Sequence, residues 1–323
     1  MDFTDLVNLA SERFGGAAVV ANDEFFGPKE RLVMDASPVF VEGRYDEHGK
    51  WMDGWETRRR REPGYDWCIV RLGFPGIVHG VVVDTANFTG NYPEACSIEG
   101  VSLDGYPDVQ ALLSPDGPWR EVLTRSMLKG DRKNPFAIEP TNRVTHVRLN
   151  IFPDGGVARL RVYGLPRPDW SRLALRPEID LASLEHGGLV VDASDMFYGH
   201  RHNLILPGPP RGMADGWETQ RRRGPGHDWA VIELGRAGRV HRVEVDTTPF
   251  IGNAPGRCSI EVSDAPGSEW HVLLPETRLH PNTRHTFERE VRRIDRASHA
   301  RFNIFPDGGV GRLRLYGTFV DGD

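Results

Sequence analysis

The residues best suited to chemistry lie in a stretch that the sequence contains twice. It runs from Asp53 to Trp67 as DGWETRRRREPGYDW and returns from Asp215 to Trp229 as DGWETQRRRGPGHDW. Each copy places one glutamate, Glu56 or Glu218, shortly before a run of arginines. A carboxyl group in this position can transfer protons while a neighbouring guanidinium group binds an anion.

Three consecutive arginines follow the glutamate in both copies. If this stretch is extended, Arg59 and Arg61 share one side and Arg60 faces the other. A planar guanidinium group binds a carboxylate through two parallel hydrogen bonds, so a small anionic substrate is the natural partner. The alternative is a surface charge run that pairs with Asp66 and Glu56, and duplication does not decide between them because a structural ion network would be duplicated too. The predicted substrate-binding arginines are Arg59, Arg61, Arg221 and Arg223.

A second duplicated stretch reads VDTANFTGNYP from Val83 to Pro93 and VDTTPFIGNAP from Val245 to Pro255. Its aspartate ends a strand, and its Gly-Asn turn can present a side-chain amide to a urea-like group. The alternative is that Asp-Thr forms an ordinary turn from side chain to backbone. The predicted catalytic carboxylates are Glu56, Asp66 and Asp84 in the first copy and Glu218, Asp228 and Asp246 in the second, and the predicted substrate-binding amides are Asn91 and Asn253.

The duplication also determines which elements must position these side chains. Residues 53–100 and 215–262 align without a gap and are identical at 29 of 48 positions. A chain of 323 residues is long enough for two domains of about 150 residues, so the sequence predicts two copies of one folding unit. The predicted boundaries are a first repeat over residues 1–164, a linker over 165–186 and a second repeat over 187–323.

Short segments rich in Val and Ile predict an all-β fold. Their side chains alternate between polar and apolar, as in His146 to Phe152, which is typical of antiparallel sheets packed as a sandwich. An amphipathic helix is predicted over residues 3–14. The first copy has ten extra residues between Gly27 and Asp53, and long loops on a β scaffold are where binding usually concentrates. The predicted strands of the first copy are Cys68–Leu72, Val78–Asp84, Ser97–Val101, Val147–Phe152 and Leu160–Tyr163.

Composition argues against several classes of protein. The net charge of −6 comes without basic clusters, which argues against nucleic acid and membrane surfaces as partners. The three cysteines lack metal or redox spacing and are expected to be buried. His200 and His202 have no counterpart in the first copy, so we predict no metal site and no cofactor. A cytoplasmic location is expected.

Taken together, DGWETRRRREPGYDW, VDTANFTGNYPEACSIE, NIFPDGG and their duplicates resemble the allantoicase family of ureide-degrading hydrolases, from Gly15 through Gly317. The resemblance implies two tandem jelly-roll (galactose-binding-like) β-sandwiches and a homo-oligomer. It also implies hydrolysis of allantoate to ureidoglycolate and urea in purine breakdown. This reaction breaks the bond from the central carbon to one nitrogen, so an acid could protonate the leaving urea and a carboxylate could activate water.

A different class of function is a non-catalytic tandem jelly-roll module that binds a small polar ligand or a sugar. Such modules bind through aromatic side chains in loops, and Trp51, Trp119 and Trp270 could serve this purpose. The duplicated arginines and carboxylates favour a small polar anion over a sugar.

Overall fold

The chain folds as two compact units, Met1–Arg167 and Pro168–Asp323, each of which contains one copy of the repeat. The computed structural model describes residues 2–103 and 105–320. Each unit has an eight-stranded antiparallel sheet with the same strand order. The prediction of an internally duplicated all-β protein is therefore confirmed.

The regular secondary structure of the first unit is mainly β-strand, and its helical segments are α1 at Val109–Leu113 and 3-10 turns at Phe3–Asp5, Glu12–Phe14 and Lys29–Val33. The five predicted strand segments lie in four strands, because Cys68–Leu72 and Val78–Asp84 belong to one continuous strand, Asp66–Asp84. The strands are β1 Val7–Asn8, β2 Ala17–Ala21, β3 Tyr45–Asp46, β4 Gly49–Lys50, β5 Trp55–Glu56, β6 Asp66–Asp84, β7 Ala95–Val101, β8 Arg120–Met127, β9 Lys133–Ala137, β10 Val144–Phe152, β11 Gly156–Val157 and β12 Arg159–Pro166.

The long strand β6 builds the sandwich because it changes partners along its length. Its first residues, 66–71, pair with β10 and β2. Its last residues, 80–84, pair with β12 and β9. One strand thus belongs to both layers, and the alternation of its side chains directs Cys68, Val70 and Leu72 into the core. The predicted jelly-roll sandwich is confirmed.

The predicted helix over residues 3–14 is wrong. Val7–Asn8 forms β1 and pairs with β12, and the Asn8 side-chain oxygen accepts a hydrogen bond from the Val162 amide at 2.9 Å. Leu9 is fully buried behind this strand. Pairing with the sheet satisfies the backbone of this segment and overrides its helical periodicity.

The second unit repeats the plan and begins earlier than predicted. Its first strand, Ile179–Asp180, pairs with its last, Arg312–Phe319. The first strand lies inside the predicted linker 165–186, so that boundary is wrong. It contains α2 Trp170–Leu173 and 3-10 turns at Leu184–His186, Arg201–Ile205 and Met213–Asp215. The strands are β13 Ile179–Asp180, β14 Leu189–Ala193, β15 Trp217–Glu218, β16 Asp228–Asp246, β17 Arg257–Ser263, β18 His271–Arg278, β19 Arg284–Phe287, β20 Ala297–Phe305, β21 Gly309–Val310 and β22 Arg312–Phe319.

A buried ion pair holds the first residue of the duplicated motif, Asp53 or Asp215, in each unit. The Arg159 guanidinium group is 1% exposed and binds the Asp53 carboxylate at 2.9 Å, and it also donates to the Asp53 carbonyl oxygen at 3.0 Å. Arg312 and Asp215 make the same pair at 2.9 Å. Burial alone would raise the pKa of Asp53, but hydrogen bonds from Arg159 and the Val39 amide lower it below its usual value.

All three cysteines are buried and free, as predicted. Burial raises the pKa of the Cys96 and Cys258 thiols to about 12, so they are unreactive apolar side chains. Among the described residues, no helix combines the length and the apolar character needed to cross a bilayer.

Candidate active site

A glutamate and an asparagine from the two duplicated motifs meet in each unit. Asn91 Nδ2 donates a hydrogen bond to Glu56 Oε1 at 2.7 Å, and Asn253 Nδ2 donates to Glu218 Oε1 at 2.6 Å. The two partners are separated by 35 residues along the chain, so only the fold brings them together. In each unit the fold therefore brings one predicted catalytic carboxylate into contact with one predicted substrate-binding amide.

The backbone around Glu56 is held from two sides. Glu56 pairs with Gly156 between β5 and β11, and its carbonyl oxygen accepts hydrogen bonds from the amides of Phe26 and Gly27. Gly27 packs so closely that an added Cβ atom would lie 2.2 Å from the Gly54 carbonyl oxygen. Only glycine fits at this position, which fixes the glutamate against the turn after β2.

A buried tryptophan beside each glutamate anchors the same turn. The Trp55 side chain is fully buried, and its Nε1 donates to the Asp23 carbonyl oxygen at 2.8 Å. Trp217 makes the same bond to Asp195 at 2.8 Å. Both tryptophans therefore anchor the turn that follows the second strand of their unit.

The pKa of the Glu56 carboxyl group is raised above the usual value for a glutamate, which favours its protonated form. Burial raises the pKa of Glu56, the hydrogen bond from Asn91 acts in the opposite direction, and the negative charge of Asp46 adds to the increase. Such a group suits a general acid that works near neutral pH.

The arginine run is a loop between β5 and β6, so the alternation assumed for an extended segment does not apply. The middle arginine turns inward: Arg60 Nη1 binds Asp66 Oδ1 at 2.6 Å, and Asp66 is 2% exposed at its side chain. Arg222 and Asp228 form the equivalent pair in the second unit. The middle arginine and the predicted catalytic residues Asp66 and Asp228 therefore form structural ion pairs, as in the alternative that the sequence left open.

The outer arginines have a different environment. Arg59 and Arg61 are exposed, as are Arg221 and Arg223. Within the described residues, none of the four forms an ion pair with a carboxylate, so their guanidinium groups stay accessible to an anion.

Two further residues support the inward arginine, and sequence reasoning did not assign them to the site. The Arg60 amide donates to Asp154 Oδ2 at 2.9 Å, and Asn22 Nδ2 donates to Asp66 Oδ1 at 2.8 Å. Their counterparts are Asp307 and Ser194. The signal was present in the duplicated FPDGG turn and in the polar residue that precedes Asp23 and Asp195.

Asp84 and Asp246 have the structural role that the sequence left as an alternative. Asp84 Oδ1 accepts a hydrogen bond from the Ala86 amide at 2.9 Å, and Asp246 Oδ1 accepts from Thr248 at 2.9 Å. Asp246 also faces a separate cavity of about 350 Å³ beside Arg284, which Glu218 does not line. No hydrogen bond joins either aspartate to the glutamate of its unit within the described residues.

The two units differ at the residue that precedes Asp66 or Asp228, which is Tyr65 in the first unit and His227 in the second. His227 Nε2 lies 3.2 Å from Asn303 Oδ1, and both residues line a groove of about 650 Å³. In the first unit Tyr65 takes this position and packs on Phe152, with ring centroids 5.0 Å apart. The two units are therefore similar in their Glu-Asn pair. They differ in the environment of Tyr65 and His227.

The three tryptophans considered for sugar binding are each covered by an arginine. The Arg44 guanidinium group lies 3.9 Å from the Trp51 ring centroid, Arg148 lies 5.0 Å from Trp119 and Arg301 lies 4.7 Å from Trp270. The arginine occupies one face of each ring, so a sugar could stack on that face only by displacing the cation. These contacts weigh against the binding module.

In residues 2–103 and 105–320, no cluster of three or more His, Cys, Asp or Glu side chains has the placement to hold a metal ion.

Comparison with known proteins connects this geometry to one family. A family profile described as "Allantoicase repeat" matches residues 7–167 and 179–320. A probable allantoicase of Nocardia farcinica is 48% identical over 98% of this chain and 95% of its own length. A probable allantoicase of Burkholderia mallei is 46% identical over 97% of this chain and 94% of its own length. The crystal structure of the Saccharomyces cerevisiae allantoicase matches with a TM-score of 0.80 at 35% identity, covering 96% of this chain and 92% of that one.

Proposed function

The chain belongs to the allantoicase family, and from this premise we propose that it hydrolyses allantoate to ureidoglycolate and urea in purine breakdown. The observation that carries the proposal at the level of the site is the Glu-Asn pair that both units assemble. A glutamate with a raised pKa and an accessible arginine three residues later suit a small, anionic, urea-bearing substrate.

The first chemical step is protonation of the leaving urea. Allantoate has two ureido groups and a carboxylate on one carbon. We assign the Glu56 carboxyl group as the acid that donates its proton to the departing nitrogen as the carbon–nitrogen bond breaks. The lone pair of the remaining ureido nitrogen then forms a double bond to the carbon, which becomes electrophilic. General acid catalysis of this kind contributes roughly 10²- to 10⁴-fold.

The second step adds water to that carbon. The Glu56 carboxylate left by the first step accepts a proton from the attacking water, and the hydroxyl group forms ureidoglycolate. Atoms and charge balance, and the glutamate returns to its protonated form. Asn91 holds the carboxyl group in place through both steps because its Nδ2 donates to Oε1.

The substrate carboxylate is assigned to the outer arginines, Arg59 and Arg61. Their exposure and the absence of an ion pair with any described carboxylate support this role, whereas Arg60 is occupied by Asp66. The positional counterparts of Glu56, Asn91, Arg59 and Arg61 in the second unit are Glu218, Asn253, Arg221 and Arg223.

The experiment that tests the function is direct. The purified chain is incubated with allantoate, and urea and ureidoglycolate are measured over time. We expect both products in equal amounts, and the double variant Glu56→Gln/Glu218→Gln serves as the matched control that loses activity. A parent chain that binds allantoate without releasing urea would show that the non-catalytic binding module is correct instead.

We also propose that the chain forms a homo-oligomer, as the family resemblance implies, and works in the cytoplasm. Its three free cysteines suit a reducing compartment. Light scattering that reports the monomer mass of 36.3 kDa at micromolar concentration would contradict the oligomer. Cell fractionation tests the location.

A further inference from the structure

The first unit has an insertion that the second unit lacks. Residues 37–52 of the first unit take the place of residues 209–214 of the second, since Ala36 and Gly208 both accept a hydrogen bond from the buried arginine, Arg159 or Arg312. In the insertion, β3 and β4 form a hairpin with Tyr45 paired to Lys50. We call residues 45–50 the insertion hairpin.

Contacts at the base of the insertion hold the hairpin in a defined position. The Trp51 ring lies between two guanidinium groups, with its centroid 3.9 Å from Arg44 and 5.1 Å from Arg31. The Val39 amide donates to Asp53 Oδ2 at 2.9 Å, and Asp53 is the partner of the buried arginine. The insertion is thus fixed to the same ion pair that positions the catalytic motif.

The tip of the hairpin reaches the candidate site. The His48 ring packs on the Phe25 ring with centroids 4.2 Å apart. Phe25 precedes Phe26 and Gly27, whose amides donate to the Glu56 carbonyl oxygen. Asp46, in the same hairpin, is close enough for its charge to act on the Glu56 carboxyl group.

The second unit shows what the same site is like without the hairpin. Phe197 is the counterpart of Phe25 and is 64% exposed, compared with 42% for Phe25. Tyr198 is 63% exposed, whereas its counterpart Phe26 is half-buried. The Glu-Asn hydrogen bond is present in both units, with Asn91 exposed and Asn253 half-buried. The extra cover in the first unit therefore lies over Phe25 and Phe26 and not over the asparagine.

We propose that the first unit carries the turnover of allantoate and that the insertion hairpin confers this by covering the Phe25 side of the Glu56 site, with His48 as a positioning residue. This inference rests on the proposed function. Covering a site removes water, and electrostatic interactions with the substrate are stronger where water is excluded. A duplicated site without this cover keeps the residues but loses part of their effect.

Matched substitutions in the two units test the assignment. We expect Glu56→Gln to lower kcat by about 10²-fold or more, and Glu218→Gln to change kcat less than about threefold. A large loss of kcat in the single variant Glu218→Gln would overturn the assignment to the first unit, whether or not Glu56→Gln also loses kcat. The proposed function would remain intact in that case. If neither variant loses activity, the Glu-Asn site is wrong in both units. A parent chain without activity contradicts the proposed function itself.

The hairpin is tested separately with both glutamates intact. His48→Ala is expected to lower kcat/KM about two- to tenfold, the range that corresponds to one lost aromatic pair. His48→Phe keeps the ring contact and is expected to restore the parent value, which a general loss of folding would not allow. Replacing residues 37–52 by the sequence of residues 209–214 removes the whole cover and is expected to lower kcat/KM further. Parent-like kcat/KM in His48→Ala would overturn the role of the hairpin, whether or not the replacement folds.

Discussion

Glu56 and Asn91 form the smallest part of the site with a defined chemical role. One hydrogen bond of 2.7 Å joins them, and it opposes the effect of burial on the Glu56 carboxyl group. The glutamate therefore stays ionisable in a partly desolvated position, as an acid that later acts as a base must.

This balance predicts a shift in the pH dependence of Asn91→Ala. The Asn91 hydrogen bond stabilises the carboxylate and so lowers the pKa of Glu56. Its removal raises that pKa, and because the protonated acid is the active form, the alkaline limb of the kcat/KM profile should move to higher pH. Asn253→Ala is the matched control and should leave the limb in place. A shift to lower pH in Asn91→Ala contradicts the acid role.

Neighbouring arginines should separate into structural and substrate-binding residues. Arg60 binds the buried Asp66, so Arg60→Ala should lower the free energy of unfolding by about 1.5 to 3 kcal/mol, measured by urea titration. Arg222→Ala should do the same in the second unit. Equal stability of Arg60→Ala and the parent chain would show that the ion pair contributes little.

Arg59→Lys should leave stability unchanged and weaken substrate binding. The substitution keeps the positive charge but loses the planar fork that binds a carboxylate through two hydrogen bonds. We expect KM for allantoate to rise about tenfold, the ratio expected for one charge-assisted hydrogen bond. Unchanged steady-state kinetics in Arg59→Lys would show that Arg59 does not bind the substrate carboxylate.

At the scale of elements, the position of the glutamate depends on how closely the turn after β2 packs on β5. A Cβ atom on Gly27 would lie 2.2 Å from the Gly54 carbonyl oxygen, so Gly27→Ala must push these segments apart. We expect a loss of both activity and thermal stability in this variant. Gly224→Ala is the control, because an added Cβ atom there meets nothing within 4 Å. Comparable melting temperatures for the two variants would contradict the close packing.

At the scale of the whole molecule, each unit is stabilised by its own buried arginine. Arg159→Ala would remove the buried counter-charge of Asp53. Arg312→Ala would remove that of Asp215, which then keeps its ion pair with Arg211 at 3.8 Å. Removing one partner of a buried pair costs about 3 to 5 kcal/mol, so either variant should unfold at clearly lower urea concentration. Arg293→Ala breaks an exposed pair with Asp295 and should cost less than about 1 kcal/mol. Similar midpoints for all three variants would refute the structural role.

The sequence alone determined the number of units, their β architecture and the motifs that contain the site. Duplication is visible directly in the residue order. The two-residue period of polar and apolar side chains predicts antiparallel strands packed as a sandwich. Glu56 and Asn91 were predicted for the same reason, because each lies in a long duplicated motif. Local patterns of this kind need no knowledge of which segments meet.

Only the tertiary structure decided which of the predicted residues work together. Residues 7–8 pair with β12 although their spacing is helical, because sheet hydrogen bonds satisfy the backbone there. Arg60 turns inward and Arg59 outward because the segment is a loop anchored by Asp154, which an assumed strand does not describe. The proximity of Asp46 to Glu56 depends on a hairpin whose path is set by cation–π and ion-pair contacts distant in sequence. Such contacts depend on three-dimensional packing, and no periodicity in the residue order encodes them.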